Sequence, residues 1–354
     1  GHMAPNTPVV ATWAAYTSLA AEPVLSSPVT VRYEDTAHEW REVQGDLVTV
    51  HWYEGSESFA KRALRIGEDA VRETAELLGV TESEPIDFFI YGDDASFRAA
   101  LGPGSRENIG GTSHSDIRTL FALITPRQID DTWVGIVVPH ELVHLVFATA
   151  VDNPYRQPPL WFNEGLAVYL SEGYGPADRN RVADAAAARG LFPLTALDQF
   201  PRYGDLVNLA YAESVSAIDH IVRTDGNDAL LALVDAYKEG LTDDEAFTKA
   251  LGRDFEAFEA GWLKELGAEQ PERYGPQPAP GGPLPPGWSG PNASPGPGAT
   301  PGAVNPTAPA TVAPTDGGGS GGHLETGAVL AAILAVVAVV VIALVVVRRR
   351  TGPA

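Results

Sequence analysis

The chain has 354 residues and a formal net charge of -22, enough length for one large domain or two small ones. So acidic a balance excludes nucleic acid as a partner, because a phosphate backbone attracts patches of Lys and Arg. It contains no cysteine, which excludes disulfides and Cys-ligated zinc.

Residues 1–28 read as a cloning remnant, Gly1-His2-Met3, followed by an N-terminal extension. Met3 is the only methionine, so the natural start, and a signal peptide with it, is expected upstream. Residues 29–33 and 47–53 alternate and are β-branched, which predicts strands. Residues 59–78 place apolar side chains at helical spacing and stop at Gly79. A strand over 86–91 closes at Gly92-Asp93, and another over 119–124 stops before Pro126. After Asp131 the pattern is mostly helical to Leu266. Strands first and helices afterwards predict an α+β domain over residues 29–272.

Residues 273–326 are rich in Pro, Gly, Ala, Ser and Thr and lack core periodicity, which predicts a disordered linker. Extended, it would hold the domain on the order of 100 Å from its anchor. Residues 327–347 are an unbroken run of Gly, Ala, Val, Leu and Ile, about 31 Å long as a helix, which predicts a transmembrane span. Arg348, Arg349 and Arg350 follow; they make residues 348–354 a short cytoplasmic tail and put the domain outside a cell membrane crossed once. Leu324-Glu325-Thr326-Gly327 is similar to a sortase signal but lacks its proline, so anchoring by the span is the preferred reading.

The chemistry concentrates in "VVPHELVHLVF", residues 137–147. In a helix, residues four apart sit about 40° from each other around the axis, so His140 and His144 can offer both imidazoles to one ion. Glu141 is then close enough to act on a metal-bound water without ligating the metal. Pro139 is awkward in a helix interior and predicts a bend or a helix start nearby. A catalytic zinc site needs three protein ligands and one open position. The third candidate is Glu164, the lone carboxylate of "LWFNEGLAVYL", residues 160–170. A carboxylate on so apolar a helix is costly unless it is paired or bound to metal.

His-Glu-x-x-His followed by Trp161-Phe162-Asn163-Glu164-Gly165 resembles the gluzincin metallopeptidases, a group that includes the aminopeptidase-N family and the peptidase MA-like domains. Nineteen residues separate His144 from Glu164, similar to the gap in those aminopeptidases. The likeness follows element order over residues 85–265. It implies a zincin, thermolysin-like catalytic domain, Zn2+ held by His140, His144 and Glu164, and a peptide or protein substrate. "LAYAESVSAIDHIV", residues 209–222, resembles the family's Tyr-Glu-x-Gly helix, which implies that Tyr211 donates to the oxyanion; Ser214 stands where the family often has Gly. In this scheme Glu141 takes the water's proton and passes it to the leaving amine.

Two departures qualify the likeness. The aminopeptidases' Gly-x-Met-Glu-Asn segment, whose Glu holds the substrate's free amine, has no counterpart; the nearest stretch, residues 109–124, lacks that Glu. An endopeptidase is therefore the expectation, with residues 119–124 as the edge strand that aligns a peptide. Thermolysin-type enzymes place an acidic residue four positions after the Glu ligand, but here that position is Val168, so no partner for the histidines is visible. The alternative is a non-catalytic surface binding or adhesion protein that keeps the zincin fold. Of the remaining histidines, His114, with Asp116, reads as a loop polar residue and His220 as a helix-surface residue. His38 and His51 show no partner in the sequence.

Overall fold

Alternation in "VTVHW" sends Val48, Val50 and Trp52 to one side of a strand, where all three are buried, and leaves Thr49 and His51 on the other. This strand, β6 (Val48–Trp52), belongs to the sheet on which the domain is built. The protein is represented by a computed structural model that describes residues 2–16, 22–103, 110–201 and 204–272. The linker, the apolar run and the tail expected over 273–326, 327–347 and 348–354 lie outside the described residues. Among the described residues no helix is long and apolar enough to cross a membrane.

Near the N-terminus, β1 (Pro8–Ala11), β2 (Ala14–Ala15), β3 (Val24–Leu25) and β4 (Val29–Arg32) form two short antiparallel pairs, β1 with β4 and β2 with β3. Then come β5 (Arg41–Gln44), β6, α1 (Glu57–Leu78), β7 (Ile86–Tyr91), α2 (Asp94–Leu101), β8 (Gly111–His114) and β9 (Thr119–Leu123). Strand order in the five-stranded sheet is β5-β6-β7-β9-β8. The β6-β7 and β7-β9 pairs are parallel and the outer pairs antiparallel. β7 is central and nearly all buried, which explains its unbroken apolar run. β9 is interior, so the edge strand beside the helices is β8 and not the 119–124 segment. Gly111-Thr112-Ser113-His114 carries no β-branched alternation to announce a strand; pairing with β9 makes it one.

The helical half comprises α3 (Val134–Ala150), α4 (Leu160–Ser171), α5 (Pro176–Ala188), α6 (Asp205–Asp225), α7 (Asn227–Lys238), α8 (Asp243–Leu251) and α9 (Phe255–Glu265). One sheet face packs on α1 and α3 through Val48, Phe88, Leu120, Val138 and Leu142. The other carries a smaller cluster of Phe89, Tyr91, Phe97 and Phe121. Ser56 accepts from Phe59 N–H at the start of α1, and Gly79 ends it with φ 65°. Pro139 lies inside α3; the N–H it lacks would have bonded to Gly135 C=O. His220 is buried, not on a helix surface, because α6 is packed on nearly all sides; its Nδ1 meets Glu265 at 2.6 Å. His51 meets Asp87 at 2.7 Å and stacks on Phe89, and His38 stacks on Tyr53.

Two buried carboxylates tie the segment before α6 to the helices. Glu213 of α6 accepts from Phe192 N–H, and Glu259 of α9 accepts from Leu194 N–H at 2.8 Å. Burial, aided by the charge of Glu259, pushes Glu213 from the ordinary value near 4.5 up to about 9, although the Phe192 N–H pulls the other way. Between these values the unfolded chain releases a proton that the folded chain keeps. The contribution of Glu213 to stability is therefore fullest below pH about 4.5 and falls as pH rises toward about 9, by at most ~1.4 kcal/mol per pH unit. Glu213→Gln should flatten this slope, so that urea unfolding at pH 8 shows a gain over wild type that shrinks toward pH 5. A second prediction concerns α4, which lies against α6 so closely that a Cβ on Gly165 would come within 2.5 Å of Ser214 O and 2.7 Å of its carbonyl carbon. Those are backbone atoms that cannot rotate away. Gly165→Ala should cost about 1–3 kcal/mol in the same unfolding experiment.

Candidate active site

Five consecutive residues of α4 are each held by neighbours from other helices. Trp161 is fully buried among Phe247, Phe255 and Phe258 of α8 and α9. Phe162 packs on Phe147 of α3 and Tyr237 of α7. Asn163 Oδ1 lies 2.8 Å from His144 Nδ1, Glu164 faces both histidines, and Gly165 admits α6. The two aromatics anchor the helix in the core, so that the two polar residues between them and Gly165 can only face α3.

His140 and His144 lie on α3 one turn apart, with ring planes at 86°. Their Nε2 atoms are 3.2 Å apart. Glu164 Oε2 is 3.4 Å from each of them. This oxygen is buried and, although close to both rings, has no hydrogen bond of acceptable geometry. Because Asn163 Oδ1 can only accept, His144 Nδ1 carries the proton and its Nε2 presents a lone pair. With both imidazoles neutral and both Nε2 atoms unprotonated, three lone pairs converge on one point, a costly arrangement unless a cation lies among them. The spacing also fits: ligand bonds of roughly 2.0–2.1 Å at tetrahedral angles separate donor atoms by about 3.3–3.4 Å. Among the described residues, these three form the group able to hold a metal ion.

Electrostatics agree with the geometry. Burial alone would lower the His144 pKa, but the Glu164 carboxylate outweighs it and raises the imidazole to about 9. Burial would raise Glu164, yet the two imidazoles bring it down to about 2. Without a metal, a proton supplies the positive charge that the cluster needs, so metal uptake releases protons.

Glu141 projects into the cleft beside the cluster without joining it, and its Oε2 accepts from Ser113 Oγ at 2.9 Å. Tyr211 of α6 reaches the same cleft, its ring 6.2 Å from that of His140 and steadied by Phe200 at 5.0 Å. The structure thus brings together all five residues singled out in the sequence: His140, Glu141, His144, Glu164 and Tyr211. His114 is on β8 rather than in a loop; it lines the cleft outside the metal-binding group. Burial lowers its pKa against the pull of Asp116 and Glu141. Sequence reasoning missed Asn163 and Ser113. Asn163 lies inside Trp161-Phe162-Asn163-Glu164-Gly165, next to Glu164, where its chemistry as an acceptor was available to be read. Nothing in the sequence pointed to Ser113.

The cleft runs past the cluster on both sides. A lobe of about 630 Å³ is bounded by Phe147, Pro158 and Leu160, and one of about 400 Å³ by Glu172, Asp178 and Asn208. Gly111, His140, Glu141 and Tyr211 line both.

The sequence matches no curated protein. Among solved structures, an aminopeptidase N family protein from Idiomarina loihiensis is similar at 14% identity and a TM-score of 0.44, covering 76% of this chain and 54% of its own. A substituted two-domain M1 zinc metallopeptidase bound to L-tryptophan is similar at 14% identity and a TM-score of 0.34, covering 78% of this chain and 64% of its own. The chain therefore spans between about half and two thirds of the length of these structures. A family model described as the Peptidase MA superfamily matches residues 66–268, a stretch that includes α3, α4 and α6 with every residue of the cluster. The chain belongs to the Peptidase MA superfamily.

Proposed function

We propose that the chain is a zinc-dependent metallopeptidase that hydrolyses internal peptide bonds. The observation that carries this reading is the convergence of the His140, His144 and Glu164 lone pairs beside a carboxylate, Glu141, that is not part of the cluster. Two nitrogens and one carboxylate oxygen are a donor set suited to Zn2+. Zinc bound there would acidify a water and polarise the scissile carbonyl. Glu141 accepts the water's proton and delivers it to the leaving amine. Tyr211 donates its phenolic hydrogen to the oxygen on which negative charge develops. Asn163 holds the His144 ring in the tautomer that keeps Nε2 free for the metal.

One feature supports cleavage within a chain rather than at its end. The cleft is open on both sides of Glu141, which leaves room for peptide in each direction. The apolar run at 327–347 with the Arg348–Arg350 triplet supports a single-pass anchor in the cell membrane with the peptidase domain outside.

Metal analysis of the purified chain should give one zinc per molecule, and Glu164→Ala should abolish it. Asn163→Ala should keep the metal but weaken its affinity about 10–100-fold. A wild-type chain that takes up no metal would falsify the hydrolase reading. In a quenched peptide library with both ends blocked, wild type should cleave, a chelator should stop cleavage and zinc should restore it. Glu141→Gln should bind zinc normally and lose on the order of 10²–10⁴ in kcat. Cleavage confined to substrates with a free amino terminus would replace the endopeptidase reading with an aminopeptidase one. A zinc-loaded chain inert toward every peptide would favour a binding protein.

A further inference from the structure

Glu141 is held from the sheet as well as from its own helix. Alternate residues of a strand face the same side, and on β8 the pair turned toward α3 is Gly111 and Ser113. Gly111 supplies clearance, since a Cβ there would lie 3.3 Å from Glu141 Cγ and 3.3 Å from Val137 Cγ1. Ser113 supplies the bond, its Oγ donating to Glu141 Oε2 at 2.9 Å. β8 is itself pinned by antiparallel pairing with β9, which sets Gly111 opposite Ala122 and Ser113 opposite Leu120.

We propose that Ser113 is the positioning residue for the Glu141 base, an inference that rests on the hydrolase reading above. A glutamate side chain has three rotatable bonds, and proton transfer requires one of its oxygens within hydrogen-bond reach of the water. A bond to Oε2 restrains the carboxylate and leaves the lone pairs of Oε1 for the water's proton. A hydroxyl suits the task. Facing a carboxylate it donates, and the bond is charge-assisted. Being neutral, it forms no ion pair that would compete with water, whereas a carboxylate in its place would repel Glu141. The proton that moves travels from water to Glu141 and on to the leaving amine; Ser113 keeps its own throughout. Its hydroxyl is taken up by the bond to Glu141, so its removal should act on kcat and spare KM.

The test is a double-mutant cycle on the full, zinc-loaded chain with Ser113→Ala and Glu141→Gln, together with the conservative Ser113→Thr. Ser113→Ala should lower kcat on a blocked peptide about 10–50-fold, with KM within about twofold and zinc content and melting temperature unchanged. Ser113→Thr should recover most of the loss. Ser113→Ala should cost nothing further once Glu141 is Gln, because a residue acting only through Glu141 has no effect in its absence. Acetohydroxamate gives up a proton on binding such a site, so its affinity, measured by calorimetry, should fall about tenfold in Ser113→Ala and follow the same cycle without any turnover. The inference is overturned by an unchanged kcat, by losses that add across the cycle, or by a Ser113→Ala chain that loses zinc or melts early, which would make the residue merely structural. A wild type that cleaves no peptide would sink the hydrolase reading, while the hydroxamate cycle would still decide whether Ser113 acts through Glu141.

Discussion

Three acceptor atoms forced to face one another organise this molecule. His140 Nε2, His144 Nε2 and Glu164 Oε2 lie 3.2 to 3.4 Å apart in a half-buried space between α3 and α4. Leaving even one buried polar atom without a partner costs about 1–3 kcal/mol, and here the oxygen is held by two helices that cannot part without opening the core. The fold meets that cost only if positive charge occupies the centre. A proton can supply it, as the opposed shifts of His144 and Glu164 indicate, but a divalent ion does so while satisfying all three atoms at once. The cluster is thus arranged to hold positive charge at its centre.

That arrangement depends on the register of α4. Each residue along a helix advances by about 100°, so a slip of one position would swing Glu164 out of the cluster and Trp161 out of its aromatic socket. Gly165 closes the remaining freedom by letting α6 approach to backbone contact. The same approach carries Tyr211 to the cleft. Ligand, orienting amide and phenol are therefore set by a few core contacts rather than by flexible loops, as a site requires when distances matter to fractions of an ångström.

How much of this was legible in the sequence follows from how local each signal was. The helices bearing His140, His144 and Glu164 were readable because each motif sits within one or two turns of a strongly apolar segment. β6 and β7 were readable from alternation and from β-branched and aromatic content. The edge strand was not: Gly111-Thr112-Ser113-His114 becomes a strand only through its pairing with β9, and without that pairing β9 looked like the edge and His114 like a loop residue. His220 read as exposed because its own helix is polar enough to pass for a surface helix; only packing against α9 buries it. Ser113 touches Glu141 across 28 positions of sequence, a contact that no periodicity encodes.

The groups that hold the chemistry in place are neutral. Asn163 orients His144 where a carboxylate could have done so, and Ser113 restrains Glu141 where a charged side chain could have done so. In a chain with a net charge of -22 this choice has a physical consequence. The negative charges next to a bound dication are then Glu164 and Glu141, which together balance it. A further carboxylate behind His144 would leave the loaded site anionic and weaken its pull on the electrons of a scissile carbonyl. A cation beside Glu141 would occupy the oxygen that the proposed mechanism needs as proton acceptor. An amide acceptor and a hydroxyl donor fix geometry while leaving the charge of the site to the two glutamates, the proposed ligand and the proposed base.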